Sequence, residues 1–178
     1  YDIYYAIFGK RKEDEPPKRL LVHTKLVLIM LPILLIIGFL LIFISEWSTP
    51  LPSWKDRFLT SAFQAISAST TTGFNTVDTG AMKTLGLAAM TLLMYIGASP
   101  GGTGGGVKTT TFGLSISSSI SVISQNDELI VFGRHIPSRT KDKAFVICAI
   151  AILLIMLDVL ILSITEKASF MELVFETV

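Results

Sequence analysis

Apolar residues in this chain are gathered into long blocks rather than spread as stripes along surface helices. Leu26 to Ile44 runs nineteen residues without a charge, interrupted only by Pro32 and Gly38. As a helix that is about 29 Å long, the thickness of a bilayer's hydrocarbon core. Ala144 to Ile164 is a second run of twenty-one residues whose only charge is Asp158. Between them, the predominantly apolar stretch Met82–Gly97 breaks at ASPGGTGGG and resumes as VKTTTFGLSISSSISVIS. Either half is short for a span, but joined they make one discontinuous crossing, a broken helix over 80–125. The alternation in LSISSSISVIS also fits a strand; an open strand at membrane depth leaves edge groups unpaired, so a helix with a polar face is expected.

A fourth segment, KDRFLTSAFQAISA, has apolar residues at 58, 59, 62, 63 and 66, spacings that suit a helix. Ser53 stands where an N-cap belongs, and Asp56 in the first turn suits the helix dipole. Fourteen residues reach only about 21 Å, so this helix, expected over 54–68, enters the membrane and turns back.

Composition agrees with a membrane chain: 51% hydrophobic, 16% charged, mean hydropathy +0.62. The single cysteine, Cys148, excludes a disulfide framework and a cysteine-based metal site. Fifteen basic residues against fourteen acidic ones exclude a strongly basic nucleic-acid surface.

Distribution of charge orients the chain. Lys10, Arg11, Lys12, Lys18, Arg19 and Lys25 precede the first span, and Arg134, Arg139, Lys141 and Lys143 precede the last. The positive-inside rule puts residues 1–22 and 126–142 in the cytoplasm, which requires two crossings between them and makes 54–68 re-entrant. Glu46 and Glu166 then mark the outer ends of the two spans. His23 and His135 read as interfacial residues. Asp158, deep in the last span, needs a partner or water.

An internal repeat adds to this plan. HTKLVLIMLPILLIIGFLLIFISEW resembles KDKAFVICAIAILLIMLDVLILSITEK at an offset of 118 to 120 residues, and FMELVFETV resembles FLTSAFQAI. The expected fold is an all-α membrane protein of repeated membrane helix–re-entrant pore helix–membrane helix units. Residues 1–22 form a linker from a preceding repeat. A pore repeat occupies 23–125, with helix 24–46, pore helix 54–68, filter 69–75 and broken helix 80–125. Residues 126–142 connect it to the start of the next repeat, 143–178. The start without Met and the end inside a helical pattern suggest a piece of a longer chain.

Chemistry concentrates in two places. After the short helix come Ser69, Thr70, Thr71, Thr72, Gly73, Phe74 and Asn75. A helix descending into the membrane presents the negative end of its dipole there, favourable to a cation. Irregular backbone at that depth lines an aqueous path or is buried, and carbonyls along a path replace an ion's hydration shell. Thr hydroxyls add acceptors, and Gly73 reaches backbone angles its β-branched neighbours avoid. The alternative is a Ser/Thr-rich external turn. The second place is Gly97, Ala98, Ser99, Pro100, Gly101, Gly102, Thr103, Gly104, Gly105 and Gly106, where six Gly and one Pro in ten residues cannot hold a helix. It is either a loop across the ion path that must move before ions pass or a close-packing stretch. Lys108 either carries a charge near that path or snorkels to the interface. A phosphate-binding loop does not fit, because Val107 separates Gly106 from Lys108.

SASTTTGFNTVDTG followed by MYIGASPGGTGGGVKTTTF resembles the third repeat of the Trk/Ktr/HKT superfamily of potassium transporters. The resemblance covers most of residues 20 to 178. It implies four repeats around one path, with Thr70, Thr71, Thr72, Gly73 and Phe74 lining a filter for potassium as the transported ligand. It also implies an intramembrane gating loop at 97–106, passive potassium uptake across the plasma membrane, and neither cofactor nor enzyme activity. The partners it implies are the remaining repeats, a second copy in a homodimer, the lipid bilayer and a cytoplasmic nucleotide-binding regulatory ring. The QNDELIVFGRHIPSRTKDK connection would offer that ring a strand or docking surface. Asn75 stands where a potassium-channel filter has a second Gly, which keeps a sodium-permeable relative open as an alternative. A non-conducting membrane scaffold is the alternative from another class.

Overall fold

The computed structural model describes residues 20–46, 53–125 and 129–178. Most of the linker assigned to 1–22, and residues 126–128 of the connection, lie outside the described residues. Among the described residues, six α-helices and one short hairpin follow one another: α1 (Val22–Ser45), α2 (Trp54–Ser69), α3 (Thr84–Tyr95), α4 (Thr109–Ile123), β1 (Ile130–Val131), β2 (Arg134–His135), α5 (Ser138–Thr165) and α6 (Phe170–Thr177). A 3-10 turn, Thr79–Ala81, precedes α3.

Helices α1 and α5 are each long and apolar enough to cross a membrane. Their large apolar side chains face outward: Ile33, Ile36 and Ile37 on α1, Leu153, Leu154 and Leu157 on α5. In water each such side chain forgoes about 1.5–3 kcal/mol of burial, a cost that lipid or further protein packed on these faces removes. Along all of α5 only Ala144 and Val159 are buried.

The core lies where α1, α2 and α3 meet. Leu34 and Ile42 of α1, Ala65 and Ala68 of α2, and Leu87, Met90 and Leu93 of α3 form one buried cluster. Phe39 meets Phe58 edge-on, with ring centroids 4.9 Å apart, and so fastens α1 to α2. Gly38 is what allows α3 to sit close: a Cβ there would lie 2.9 Å from Leu93 Cγ, and Leu93 is buried.

Glu46 does more than mark the end of the first span. It is buried at the end of α1, where Oε1 accepts the backbone N–H of Lys83 at 3.0 Å and the Ser45 hydroxyl at 3.2 Å. Lys83 is the N-cap residue of α3, so the carboxylate sits against the positive end of that helix's dipole. The same anion at the C-terminus of α1 is unfavourable, and its bonds to α3 offset that.

The connection folds as a hairpin. Ile130 pairs with His135 and Val131 with Arg134, across a turn whose central residues Phe132 and Gly133 both have positive φ (52° and 75°). That combination is the primed turn matched to strand twist. Leu129 and Val131 pack on Leu26, and the Lys25 ammonium lies 5.6 Å from the Phe132 ring centroid. The hairpin is thereby seated against the end of the bundle where α1 begins. At the end of α3, the Tyr95 hydroxyl donates to the Cys148 carbonyl at 3.1 Å and ties α5 to the break in the chain.

Gly38→Val is expected to destabilise the purified protein by about 1–3 kcal/mol through overpacking against Leu93. A lower thermal midpoint in detergent checks this. Gly133→Ala meets no atom within 4 Å, so its cost is limited to the φ penalty of about 1–2 kcal/mol.

Candidate functional site

Helix α2 ends in a double backbone cap. Thr72 N–H donates to the Ser67 carbonyl at 3.0 Å and Thr71 N–H to the Ala68 carbonyl at 3.1 Å, the pair of bonds that defines a Schellman motif. Its C′ position, where a left-handed residue is required and Gly is usual, is held by Thr71 at φ 51°. For a β-branched residue this conformation costs about 1–2 kcal/mol. Thr70 also turns inward: its N–H and its hydroxyl both donate to the Ile66 carbonyl, at 2.9 and 2.7 Å. With that proton committed, the 2.6 Å contact between Thr70 Oγ1 and Thr72 Oγ1 has Thr72 as donor.

The strand beyond the cap is then pinned once more. The Ser67 hydroxyl donates to the Phe74 carbonyl at 2.7 Å, drawing residues 72–74 back along the last turn of α2. Gly73, at φ 81° with no atom within 4 Å of where a Cβ would stand, makes the bend between them possible. The Phe74 ring itself is 69% exposed and packs on nothing within the chain's core. Residues 70–73 therefore come together at the end of α2, while Phe74 contributes its carbonyl to the pin and projects its ring outward.

Residues 97–106 fold into the space directly beyond this cap. Ser99-Pro100-Gly101-Gly102 forms a turn closed by Gly102 N–H to the Ser99 carbonyl at 3.3 Å, with Gly101 at φ 95°. Pro followed by a positive-φ Gly is the type II pattern. Val107 N–H donates to the Tyr95 carbonyl at 2.8 Å and closes the loop at its base. Inside it, backbone meets backbone: a Cβ on Gly97 would collide with the Gly105 carbonyl oxygen and lie 2.8 Å from its carbon. A Cβ on Gly104 would lie 2.9 Å from the Thr70 carbonyl oxygen. Pro100, Gly101, Gly102 and Thr103 sit at the outer rim of the loop, and Gly106 makes the exit turn at φ 72°.

Two side chains hold this loop. Gly105 N–H donates to Thr71 Oγ1 at 2.8 Å, across thirty-four residues of sequence. The Lys108 ammonium, at the N-cap of α4, donates to the Gly104 carbonyl. Lys108 is thus turned into the loop rather than out to an interface. A cleft of about 470 Å³ opens beside the cap, bordered by Ser67, Thr71, Gly73, Asn75, Met90 and Glu176. Glu176 belongs to α6, so the last described helix borders the same cleft as the end of α2.

The comparisons with known proteins bear on what this arrangement is. Residues 17–178 match the family model TrkH, described as a cation transport protein. The chain belongs to the TrkH family. It is 35% identical over 159 residues to the Ktr system potassium uptake protein B of Bacillus subtilis, covering 87% of this chain and 36% of that protein. To the Ktr system potassium uptake protein D of the same organism it is 39% identical over 124 residues, 70% of this chain and 27% of the relative. To the potassium/sodium uptake protein NtpJ of Enterococcus hirae it is 29% identical over 152 residues, 84% and 34%. The TrkH-family chain therefore spans about a third of the length of the curated relatives it matches. Both apolar helices and family membership make it a membrane protein.

Reading the sequence locates the Thr run and the Gly-rich break but misses Ser67 as the strand's anchor and Thr71 as a contact to the loop. Ser67 lies in the last turn of α2 among other small residues, and its partner is a backbone carbonyl, which leaves no trace in residue identity.

Gly97→Ala is expected to open the loop, because the clash is with backbone that cannot swing away. Gly102→Ala, whose Cβ would lie 3.6 Å from the Ser99 carbonyl oxygen, is expected to be tolerated. Hydrogen exchange across 95–108 separates them: faster for the first, near wild type for the second.

Proposed function

We propose that this chain is a pore-forming repeat, with the start of the next, in a potassium uptake protein of the plasma membrane. Helix α2 is the re-entrant pore helix and residues 70–74 supply one strand of the selectivity filter. Helices α3 and α4 are the halves of a crossing interrupted by a gating loop at 97–106. The observation that carries this reading is the placement of the Gly-rich loop directly beyond the end of α2, in contact with Thr70 and Thr71. An external turn joined to a remote packing stretch would have no reason for that contact.

Charge supports the direction of the path. The cleft beside the cap has a mixed lining: Met90, Met94 and Phe175 are apolar, while Ser67, Thr71, Asn75 and the Glu176 carboxylate offer the oxygen atoms that a monovalent cation with part of its water removed would use. Transport of this kind makes and breaks no bond and calls for no cofactor. Ions pass down their gradient when the loop yields. The polypeptide's other repeats complete the ring, and residues 1–22 and 126–142 face the cytoplasm. There the β1–β2 hairpin, with Ile130 and Phe132 exposed, is the surface offered to a nucleotide-binding regulatory ring. A second copy in a homodimer is the remaining partner.

One observation favours a less selective variant of this reading. The relative NtpJ is named for potassium and sodium together, and Asn75 stands beyond Gly73 where a second flexible Gly would complete a potassium-channel filter.

Flux through the full-length protein in liposomes tests the reading. Potassium flux is expected to exceed sodium flux, and Gly73→Ser, which forces a side chain onto a residue at φ 81°, is expected to reduce the preference. A preference unmoved by that substitution sinks the filter assignment; deletion within 97–106 with unchanged flux sinks the gate. The double substitution Ile130→Asp, Phe132→Asp should abolish binding of the regulatory ring while leaving the thermal midpoint near wild type.

A further inference from the structure

Gly104 and Gly105 share one peptide group, and that group is gripped at both ends. Its C=O, from Gly104, accepts from the Lys108 ammonium, and its N–H, from Gly105, donates to Thr71 Oγ1 at 2.8 Å. In a trans peptide the C=O and N–H bonds point in opposite directions, so the grip reaches through the loop from α4 on one side to the end of α2 on the other. We infer that Lys108, the Gly104–Gly105 peptide and Thr71 form a relay. Through it, the position of the inner half-helix α4 and the state of the filter strand are coupled.

Three features of the chain converge on this. Thr71 occupies a left-handed cap position that Gly would fill without strain, so its side chain is present at a cost and makes the contact to the loop. Lys108 stands at the N-cap of α4, where the helix dipole disfavours a cation. The Gly104 carbonyl compensates it there, and the ammonium in turn polarises the peptide and strengthens its N–H as a donor to Thr71. Finally, the first residue of the pair has no room to be anything but glycine: a Cβ on Gly104 would press on Ala98 and on the Thr70 carbonyl. Displacing α4 removes the ammonium, weakens the grip on Gly105 N–H and frees Thr71 from the loop. By reciprocity, a cation that steadies the filter strand steadies the loop.

This inference rests on the filter reading of 70–74, and the experiment separates the two. Hydrogen exchange at the Gly105 amide is followed in the full-length protein in lipid nanodiscs, at low and high potassium. In the wild type, potassium is expected to slow exchange at Gly105 at least about fivefold, the lower end of ordinary coupling. Thr71→Val and Lys108→Met should each speed exchange and abolish its potassium dependence, and the double variant should go no further than either alone, within about twofold. Thr71→Ser, which keeps the hydroxyl, should behave as the wild type. Effects of Thr71→Val and Lys108→Met that multiply, or potassium dependence that survives Lys108→Met, overturn the relay. Should potassium flux and its preference prove indifferent to Gly73→Ser, the filter reading falls and takes the relay with it. Normal sensitivity at Gly73 with no potassium effect at Gly105 overturns the relay alone. Variants that do not elute as folded protein are replaced by Lys108→Gln, which removes the charge with less change of shape.

Discussion

Backbone that is not helical must find its hydrogen bonds inside the protein wherever lipid is the solvent. The irregular backbone at the end of α2 and at the break between α3 and α4 finds partners within the chain. The carbonyls at the end of α2 are taken by the N–H groups of Thr70, Thr71 and Thr72, and the Phe74 carbonyl by Ser67. At the break between α3 and α4, Val107 reaches back to Tyr95, and Gly105 and Gly104 are held by Thr71 and Lys108. Two irregular segments supply hydrogen-bond partners to one another.

That mutual dependence explains why helices of ordinary lengths pack as they do. Gly38 brings α3 against α1, and Glu46 fixes the start of α3 at the end of α1. With α3 so placed, its far end at Tyr95 delivers residues 97–106 to the end of α2. The outward apolar faces of α1 and α5 add little to this core.

The long helices are legible in the sequence because their signal is cumulative: nineteen and twenty-one residues of apolar sequence survive any local ambiguity. Helix α2 is legible from period and from Ser53, whose hydroxyl accepts the Lys55 N–H at 3.3 Å. LSISSSISVIS, alternating like a strand, is helical in α4, where Ser115, Ser117 and Ser119 each bond a carbonyl one turn back. The hairpin is only half legible, since Phe-Gly is a poor advertisement for a primed turn. Cooperation between the two Gly- and Thr-rich segments is visible only as proximity of motifs, because its bonds run between backbone groups and one hydroxyl. Glu46 reads only as the end of a span for the same reason: its acceptor role depends on a Lys83 amide thirty-seven residues away.

Thr71 also sets a limit on how this protein can be improved. Replacing strained left-handed residues by glycine at helix ends is a standard route to a more heat-resistant protein. Applied at position 71, that rule would relax the cap of α2 and at the same stroke delete the hydroxyl that holds Gly105. The strain of the cap and the bond to the loop belong to the same side chain, so a search for thermostable variants that scores only melting temperature would select against the one hydroxyl that joins the two irregular segments.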